Sequence, residues 1–190
     1  MTVLPDWLSS TVASDATDGR GVIHADLNAL SPDVTVAGPA LAVTVSRDDN
    51  LAMGDVPAAV TQPGTVLVVA GGSESRTAVL GDLVARELLA AGVVAVVTDA
   101  PIRDSRAVAE LGLAVWARGV TPTKSSKNGP GAVGGTVEIG GVAVVDGDIV
   151  VADADGVVVW PKASVDELLV KAEAKQRADA ERLAKLTSHG

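Results

Sequence analysis

The 190-residue sequence contains no cysteine, and this absence excludes several kinds of chemistry. Disulfide bonds, thiol catalysis and cysteine-ligated zinc all need that residue, and a chain without it suits a reducing cytosol. No apolar run approaches the ~18 residues of a membrane-spanning helix, and the N-terminus lacks a basic region followed by an apolar stretch. We therefore expect a soluble, cytoplasmic protein that has no membrane partner.

Aromatic residues are nearly absent as well. The chain has three tryptophans, no phenylalanine and no tyrosine, although 47% of its residues are hydrophobic. Its core must therefore consist mainly of valine, alanine, leucine and isoleucine. Because β-branched side chains pack well on pleated sheets, the abundant valine predicts that strands carry much of the fold. The length suits one domain.

Positive charge is also scarce, with 15 lysines and arginines against 24 acidic residues. The net charge of -9 argues against a nucleic-acid surface, which needs clustered basic side chains. The basic residues between Lys162 and Lys185 are interleaved with aspartate and glutamate, as on a solvated helical face. We expect no nucleic-acid partner.

The order of apolar runs and turns predicts an α/β fold. Helical segments alternate with runs of strand length, such as Thr65–Ala70 and Val93–Val97. Between Val133 and Trp160 short β runs are separated by turns rich in glycine and aspartate, which is typical of hairpins. We therefore predict a mixed sheet or a β/β/α sandwich, followed by a C-terminal helix that ends near Leu186.

Four local features lead to further predictions. Asn50–Val60 is predicted to be a helix, and residues 98–104 are predicted to form a turn. The Gly38-Pro39 step predicts a bend or an edge position in its strand. Ser164 and Glu167 have the order of a capping box, with serine at the helix cap and glutamate three residues later.

Asp82 and the adjacent pair Arg103-Asp104 are the one place where the sequence looks built for chemistry. The 20 intervening residues have the pattern of a helix, a buried strand and a turn, about one supersecondary unit. Such a unit can return its two ends to one edge of a sheet. Carboxylate oxygens suit a hard divalent cation, and a guanidinium suits an oxo acid. The spacing therefore indicates a candidate metal and oxo-acid site.

Each of these residues also has an ordinary structural interpretation. Asp104 could cap a helix that follows it, and Asp82 could be a first-turn acid favoured by the helix dipole. Arg103 could be a surface residue. Gly81 has two interpretations: free amides at a helix start could hold a carboxylate there, whereas inside a longer helix it would be a close-packing position.

The run Gly81-Asp82-Leu83 to Arg103-Asp104 resembles the signature of the RraA-like proteins, which is an aspartate, twenty residues and an Arg-Asp pair. The catalytic members of that family are 4-hydroxy-4-methyl-2-oxoglutarate / 4-carboxy-4-hydroxy-2-oxoadipate aldolases. The resemblance covers about residues 8–161. Its further matches, in chain order, are Ser14-Asp15-Ala16, Gly38-Pro39-Ala40, Asp49-Asn50, Val115-Trp116-Ala117-Arg118-Gly119, Gly140-Gly141-Val142 and Ala152-Asp153-Ala154-Asp155-Gly156-Val157.

The resemblance implies a β/β/α sandwich of the swivelling-domain type, with a mixed sheet and a C-terminal helix. It implies one catalytic domain at residues 1–161, a helical extension at residues 162–190, and a homotrimer or homohexamer with active sites in clefts between subunits. The implied activity is that of a metal-dependent (class II) aldolase or oxo-acid lyase. Such an enzyme cleaves a 4-hydroxy-2-oxo acid to pyruvate by a retro-aldol reaction, and oxaloacetate decarboxylation passes through the same enolate.

The resemblance also implies roles for single residues. Asp104 would bind Mg²⁺ or Mn²⁺, Arg103 would grip the oxo acid, and Asp82 would position a water for proton transfer. The cation and the guanidinium would stabilise the charge of the enolate, so no Schiff-base lysine is required. The substrate-binding residues that the resemblance implies are Gly81, Asp82, Leu83, Arg103 and Asn50.

One position departs from the family pattern. Many aldolase members carry an acid three residues after the metal-binding aspartate, where this chain has Ala107. The next acid is Glu110, and Asp99 or an acid from a partner subunit could take its place. The alanine could weaken metal binding, or it could belong to an enzyme that uses the same enolate site for another substrate. It could also mark a non-catalytic regulator, like the family members that bind the endonuclease RNase E. The intact Arg103-Asp104 pair favours an enzyme.

Three further polar residues each have two interpretations. His24 is the only histidine before the C-terminal tail, and it could be a base or a structural residue. Lys124 and Lys127 lie in a loop rich in glycine and serine, where they could neutralise a distal carboxylate of the substrate. For both lysines a solvated loop is the favoured interpretation.

Overall fold

The computed structural model of the protein describes residues 4–187. Its helices are α1 (Ser10–Ala16), α2 (Val56–Ala59), α3 (Asp82–Ala91), α4 (Ser105–Glu110) and α5 (Val165–Thr187), with 3-10 turns at Leu51–Gly54 and Lys162–Ser164. Its strands are β1 (Asn28–Ala29), β2 (Val36–Thr44), β3 (Thr65–Ala70), β4 (Val93–Ile102), β5 (Ala114–Val120), β6 (Ala132–Val133), β7 (Thr136–Ile139), β8 (Val142–Val145), β9 (Ile149–Asp153) and β10 (Gly156–Trp160).

Parallel strand pairs form the centre of an eight-stranded mixed sheet. The strand order is β1-β5-β4-β3-β2-β9-β10, and β6 pairs with β2 outside this path. The neighbours from β2 to β5 are parallel, whereas β1, β6, β9 and β10 pair antiparallel. β7 and β8 form a separate antiparallel hairpin. The predicted mixed sheet with C-terminal hairpins is therefore confirmed.

The two faces of the sheet bury different layers. On one face Leu67 and Val96 belong to a cluster that includes Leu88 of α3, so the helices cover that side. On the other face Val68 belongs to a cluster that includes Val144 of the β7–β8 hairpin. The three layers, which are helices, sheet and hairpin, form the predicted β/β/α sandwich. Its core is mostly valine, alanine and leucine.

A third cluster joins the C-terminal helix to the body. Leu168 and Ala172 of α5 are buried with Trp160, whose Nε1 donates to the Ala13 carbonyl of α1 at 3.0 Å. From Gln176 to Thr187 every residue of α5 is exposed. None of the helices within residues 4–187 is long and apolar enough to cross a membrane.

One prediction about a strand is wrong. Residues 98–102 continue β4 instead of turning, because β4 resumes its pairing with β5 at Pro101 after an irregularity that follows Thr98. At the Gly38-Pro39 step, the predicted bend or edge position, β2 pairs with β9 alone, and it changes its partner to β3 from Ala40 onward. Since proline has no N–H to donate, a change of partner is a place where the sheet tolerates it.

Two predictions about helices also need correction. Residues 50–60 form a 3-10 turn and one short helix, α2, rather than one continuous helix. At α5 the capping box is not formed, because Ser164 belongs to a 3-10 turn and Glu167 pairs with Lys171 at 2.8 Å. An ion pair one turn along the helix competes for the glutamate that a capping box needs.

The buried tryptophan bond leads to a first prediction. We expect Trp160→Phe to lower the free energy of unfolding by about 1–3 kcal/mol, because the Ala13 carbonyl loses its buried donor. Urea denaturation measures this change. The matched control is Trp7→Phe, since Trp7 is only half-buried, and its effect should be clearly smaller. Equal losses in both variants would contradict the stabilising role of the Trp160 bond.

Candidate functional site

The start of α3 lies against the end of β4. Gly81 is the N-cap of α3, so the interpretation of Gly81 as a helix start is confirmed. A Cβ atom at Gly81 would lie 2.5 Å from Oδ2 of Asp104 and 2.8 Å from Nε of Arg103. Because these distances are shorter than a Cβ contact allows, a side chain at this position would displace the Arg103 and Asp104 side chains. The Arg103 amide also donates to the Leu80 carbonyl at 3.0 Å, which fixes the two segments together.

Asp104 has an unusual backbone conformation and does not cap α4. It occupies the N-cap position with φ 52° and ψ 35°, in the left-handed region, and its side chain makes no capping hydrogen bond. Such a conformation costs a residue with a side chain roughly 1–3 kcal/mol. Oδ2 instead accepts from the Asp82 amide at 3.4 Å and lies 3.4 Å from Nε of Arg103. The carboxylate is thus turned toward the start of α3 rather than toward its own helix.

The first turn of α3 offers backbone donors beside this pair. The first intrahelical bond of α3 runs from the Ala85 amide to the Gly81 carbonyl, so the amides of Asp82, Leu83 and Val84 have no carbonyl within the helix. The Asp82 amide donates a hydrogen bond to the Asp104 carboxylate. Within residues 4–187 the Asp82 carboxylate has no hydrogen-bond or ion-pair partner. Asp82 therefore contributes its amide to the cluster and leaves its carboxylate available.

Arg103 lies between two clefts. The first, here called the lysine cleft, has a volume of about 250 Å³, and its polar and exposed lining includes Asn50, Leu83, Glu87, Arg103, Lys124 and Lys127. The second, here called the Asp104 cleft, measures about 570 Å³ and includes Arg103, Asp104, Ala107 and Glu110. The side chains of Arg103 and Asp104 are 37% and 41% exposed, so a ligand can reach both groups.

The segment that carries the two lysines, residues 123–128, is here called the lysine loop, and its backbone is tied to the body. The Ala78 amide donates to the Thr123 carbonyl at 2.9 Å, and Ser125 Oγ donates to the Ala78 carbonyl at 2.8 Å. The Asn50 amide donates to the Ser126 carbonyl at 3.0 Å. The loop is therefore held as a strand-like edge of the lysine cleft.

Asp49 is the buried anchor of the lysine loop. Its carboxylate accepts from the Leu51 amide at 2.9 Å, from Ser126 Oγ at 2.7 Å and from the Asn128 amide at 2.6 Å. These bonds, led by the one from Leu51, lower the pKa of Asp49 from 3.8 to about 2. This role could not be predicted from the sequence, because Ser126 and Asn128 lie 77 and 79 residues away and leave no local signal.

Asn50 reaches the lysine cleft with one polar atom unpartnered. Its Nδ2 donates to the Val79 carbonyl at 2.9 Å, while its buried Oδ1 has no hydrogen-bond partner in residues 4–187. A buried acceptor without a donor is costly, so Oδ1 can accept a bond from a ligand or a water molecule. This arrangement is compatible with the binding role that the sequence resemblance implies for Asn50.

Among the described residues, neither Glu110 nor Asp99 takes the place of the acid that is absent at position 107. Ala107 lines the Asp104 cleft, and Glu110 in the same cleft is paired with Arg106 at 2.9 Å. The Asp99 carboxylate accepts from the amides of Gly71 and Gly72, and burial raises the pKa of Asp99. Asp99 lines neither cleft at Arg103, so it does not replace the acid absent at position 107.

His24 lies in another part of the molecule. It is exposed and lines a separate cavity of about 490 Å³ that also includes Asp26 and Trp116. Neither cleft at Arg103 includes His24. The geometry thus gives His24 no part in the candidate site.

Comparisons with known proteins show the family of this chain. Residues 10–159 match the family model described as RraA-like, Aldolase/RraA. The chain belongs to the RraA-like family. A protein of Halalkalibacterium halodurans named as a putative 4-hydroxy-4-methyl-2-oxoglutarate aldolase is 35% identical over 175 residues, which are 92% of this chain and 83% of that protein.

Two solved structures of RraA proteins are also similar. The Streptomyces coelicolor protein RraAS2, described as an unusual member of the RNase ES inhibitor RraA family, is 32% identical with a TM-score of 0.81 over 95% of this chain and 93% of its own. The RNA-processing inhibitor RraA of Thermus thermophilis is 29% identical with a TM-score of 0.73, covering 82% of this chain and 93% of its own. The RraA-like fold is therefore shared along nearly the whole chain.

The donor set of this RraA-like chain suits one hard divalent cation. Asp104 lines the Asp104 cleft, and its second carboxylate oxygen, Oδ1, has no hydrogen bond inside residues 4–187. Mg²⁺ typically takes one or two carboxylates and fills its other positions with water and substrate oxygens. No group of three or more histidine, cysteine or acidic side chains that could hold a metal occurs among the residues that the structure describes. A cation at this position would therefore take only part of its ligands from the protein and the rest from water and substrate.

The anchor of the lysine loop can be tested by titration. A folded-state pKa below the ordinary value means that Asp49 stabilises the fold above pH 3.8 and loses this contribution as the pH falls toward about 2. We expect the amide resonances of Leu51 and Asn128 to shift with a midpoint near 2 in NMR spectra. Asp49→Asn should abolish this transition. A midpoint near 3.8 would show that the amide bonds do not hold the carboxylate.

The close approach at Gly81 can be tested by adding one methyl group. Gly81→Ala would force Arg103 and Asp104 away from the start of α3, since no alternative position exists for the Cβ atom. We expect a crystal structure of this variant to show both side chains displaced while the fold is kept. Gly54→Ala is the matched control, because nothing lies within 4 Å of its added Cβ atom. An unmoved Arg103-Asp104 pair in Gly81→Ala would contradict the geometry described.

Proposed function

We propose that this RraA-like chain is a divalent-metal-dependent lyase that cleaves a 4-hydroxy-2-oxo acid to pyruvate by a retro-aldol reaction, with oxaloacetate decarboxylation as a related activity. One observation carries the proposal. Asp104 adopts a left-handed conformation, gives up helix capping and turns its carboxylate toward Arg103 at the start of α3. Asp18 and Asp48 also have positive φ, but of these three aspartates Asp104 is the one that lies beside Arg103. The relative named as a putative aldolase supports the same activity.

In the proposed complex, Arg103 binds the 2-oxo acid. Its guanidinium can donate to the carboxylate and to the 2-oxo oxygen at once, because its nitrogens form a planar fork. The amides at Leu83 and Val84 are directed from the helix start and can hold the remaining carboxylate oxygen. Asn50 would complete this binding site through its unpartnered Oδ1, which would accept a hydrogen bond from a hydroxyl group of the substrate or from a water molecule.

Bond cleavage then requires only proton transfers and charge stabilisation. A water held by the Asp82 carboxylate removes the proton of the 4-hydroxyl group, the bond between C3 and C4 breaks, and its electron pair forms the enolate of pyruvate. The second carbonyl compound leaves, and the proton returns to C3 to give pyruvate. In oxaloacetate the bond to the departing carboxylate breaks instead, which releases CO₂ and yields the same enolate.

Asp104 would hold the cation in this scheme. When bound there, Mg²⁺ or Mn²⁺ would supply positive charge that stabilises the enolate. Arg103 adds a second positive charge on the protein side, in a cleft where such preorganised charges act more strongly than in water. We further propose that residues 1–161 form the catalytic domain and residues 162–190 an extension, and that the protein works as a cytoplasmic homotrimer or homohexamer.

The proposed activity is tested by pyruvate release from oxaloacetate in the presence of Mg²⁺ or Mn²⁺. We expect chelation to abolish release, and Asp104→Ala and Arg103→Ala each to lower it by at least about 100-fold, since each removes charge that stabilises the enolate. Asp33→Ala and Arg86→Ala are matched controls, because both residues are exposed and lie in neither cleft. A metal-loaded protein that releases no pyruvate would contradict the proposal, as would turnover unaffected by Arg103→Ala.

A second candidate function is that of a non-catalytic regulatory protein. It is favoured by Ala107 at the position of the usual acid, and by the two RraA structures whose descriptions name RNA-processing inhibitors. A regulator would bind a protein partner saturably and show no metal-dependent turnover. Partner binding that survives Asp104→Ala in a preparation without turnover would favour this function. Metal-dependent pyruvate release would favour the lyase.

A further inference from the structure

The lysine cleft is a positive site in a strongly negative chain. Arg103, Lys124 and Lys127 line it, with Glu87 as its only acidic residue within the described part of the chain. The whole chain has a net charge of -9, so this local excess of cations is opposite in sign to the net charge of the chain. Clefts lined by one sign of charge attract ligands of the other sign. The cleft is therefore suited to an anion.

The two lysines are not committed to partners within the protein. In residues 4–187 no ion pair involves Lys124 or Lys127, and both residues are exposed. Their backbone, in contrast, is fixed by the bonds to Ala78, Asn50 and Asp49. A fixed backbone with free ammonium groups fits a binding role better than the solvated loop that the sequence favoured, because it keeps both charges at the cleft.

We propose that Lys124 and Lys127 bind a second carboxylate, at the far end of the oxo acid, and so determine substrate specificity. The inference rests on the proposed function, which places the 2-oxo end at Arg103. Arg103 belongs to both clefts, so an acid held there can extend into the lysine cleft. Leu83, which is 66% exposed in that cleft, offers an apolar surface for the carbon chain between the two ends.

The size of the cleft agrees with this class of ligand. Its volume is about 250 Å³, below the ~300 Å³ at which pockets for drug-sized molecules begin. A short linear diacid fits such a space, and a nucleotide or a peptide does not. Each ammonium group can make charge-assisted hydrogen bonds to a carboxylate, which are stronger than bonds between neutral groups.

The test compares two ligands that differ only at the far end. 2-Oxoglutarate carries a second carboxylate where 2-oxopentanoate carries a methyl group, and the two acids have the same number of carbon atoms. We expect calorimetry with Mg²⁺ to show that the wild-type protein binds 2-oxoglutarate about 10- to 100-fold more tightly. The double variant Lys124→Met, Lys127→Met should lose this preference while its affinity for 2-oxopentanoate stays unchanged.

A matched control separates local from overall charge. The double variant Lys162→Met, Lys185→Met also removes two positive charges, so the net charge changes from -9 to -11 in the control variant as in the cleft variant. Neither Lys162 nor Lys185 lines the lysine cleft. The control variant should keep the preference for 2-oxoglutarate. Retained binding of 2-oxopentanoate in the cleft variant shows that this variant is folded.

Four results would overturn the inference. The wild-type protein could bind both acids equally, the cleft variant could keep the preference, the control variant could lose it, or the cleft variant could lose both ligands in parallel. Pyruvate release from oxaloacetate by the wild-type protein distinguishes these failures from a failure of the lyase function. If neither acid binds and no pyruvate is released, both proposals fall together.

Discussion

The contact between Gly81 and the Arg103-Asp104 pair is the constraint on which the candidate site depends. Glycine leaves room beside the start of α3 for the side chains of Arg103 and Asp104, which a Cβ atom at this position would displace. This arrangement brings the Asp82 amide to the Asp104 carboxylate, and it leaves the first turn of α3 open toward the clefts. The strained backbone of Asp104 is tolerated because the neighbouring bonds of Arg103 and of α4 hold it on both sides.

A second, polar framework builds the opposite part of the site. Asp49 collects bonds from segments distant in sequence, and Ser126 also donates through its amide to the Asp48 carbonyl. Because the Asp49 carboxylate is satisfied by amides and a hydroxyl, it stays charged without a basic partner. The lysine loop needs no hydrophobic core of its own. Its ammonium groups are thereby left free for an external anion.

The sequence was sufficient for the fold class and for the proximity of Asp82 to the Arg103-Asp104 pair, but not for the orientation of their side chains. The twenty-residue spacing of Asp82 and Arg103 correctly indicated a helix and a strand whose ends meet, because hydrophobic periodicity is local. The turn signals at Asp99 and Pro101 misled, since pairing with β5 overrides local propensity. The side-chain direction of Asp104 and the anchoring by Asp49 could not be predicted, because both depend on long-range contacts that leave no local pattern.

The central claim is that Asp104 and Arg103 together hold a divalent cation and a 2-oxo acid. The most direct measurement is a crystal structure with Mn²⁺ and oxalate, a stable mimic of the pyruvate enolate. We expect an anomalous Mn²⁺ peak at Oδ1 of Asp104, with oxalate bridging the cation and the Arg103 guanidinium. A fully occupied Mn²⁺ and oxalate site elsewhere in the molecule, with Asp104 and Arg103 unliganded, would contradict the claim.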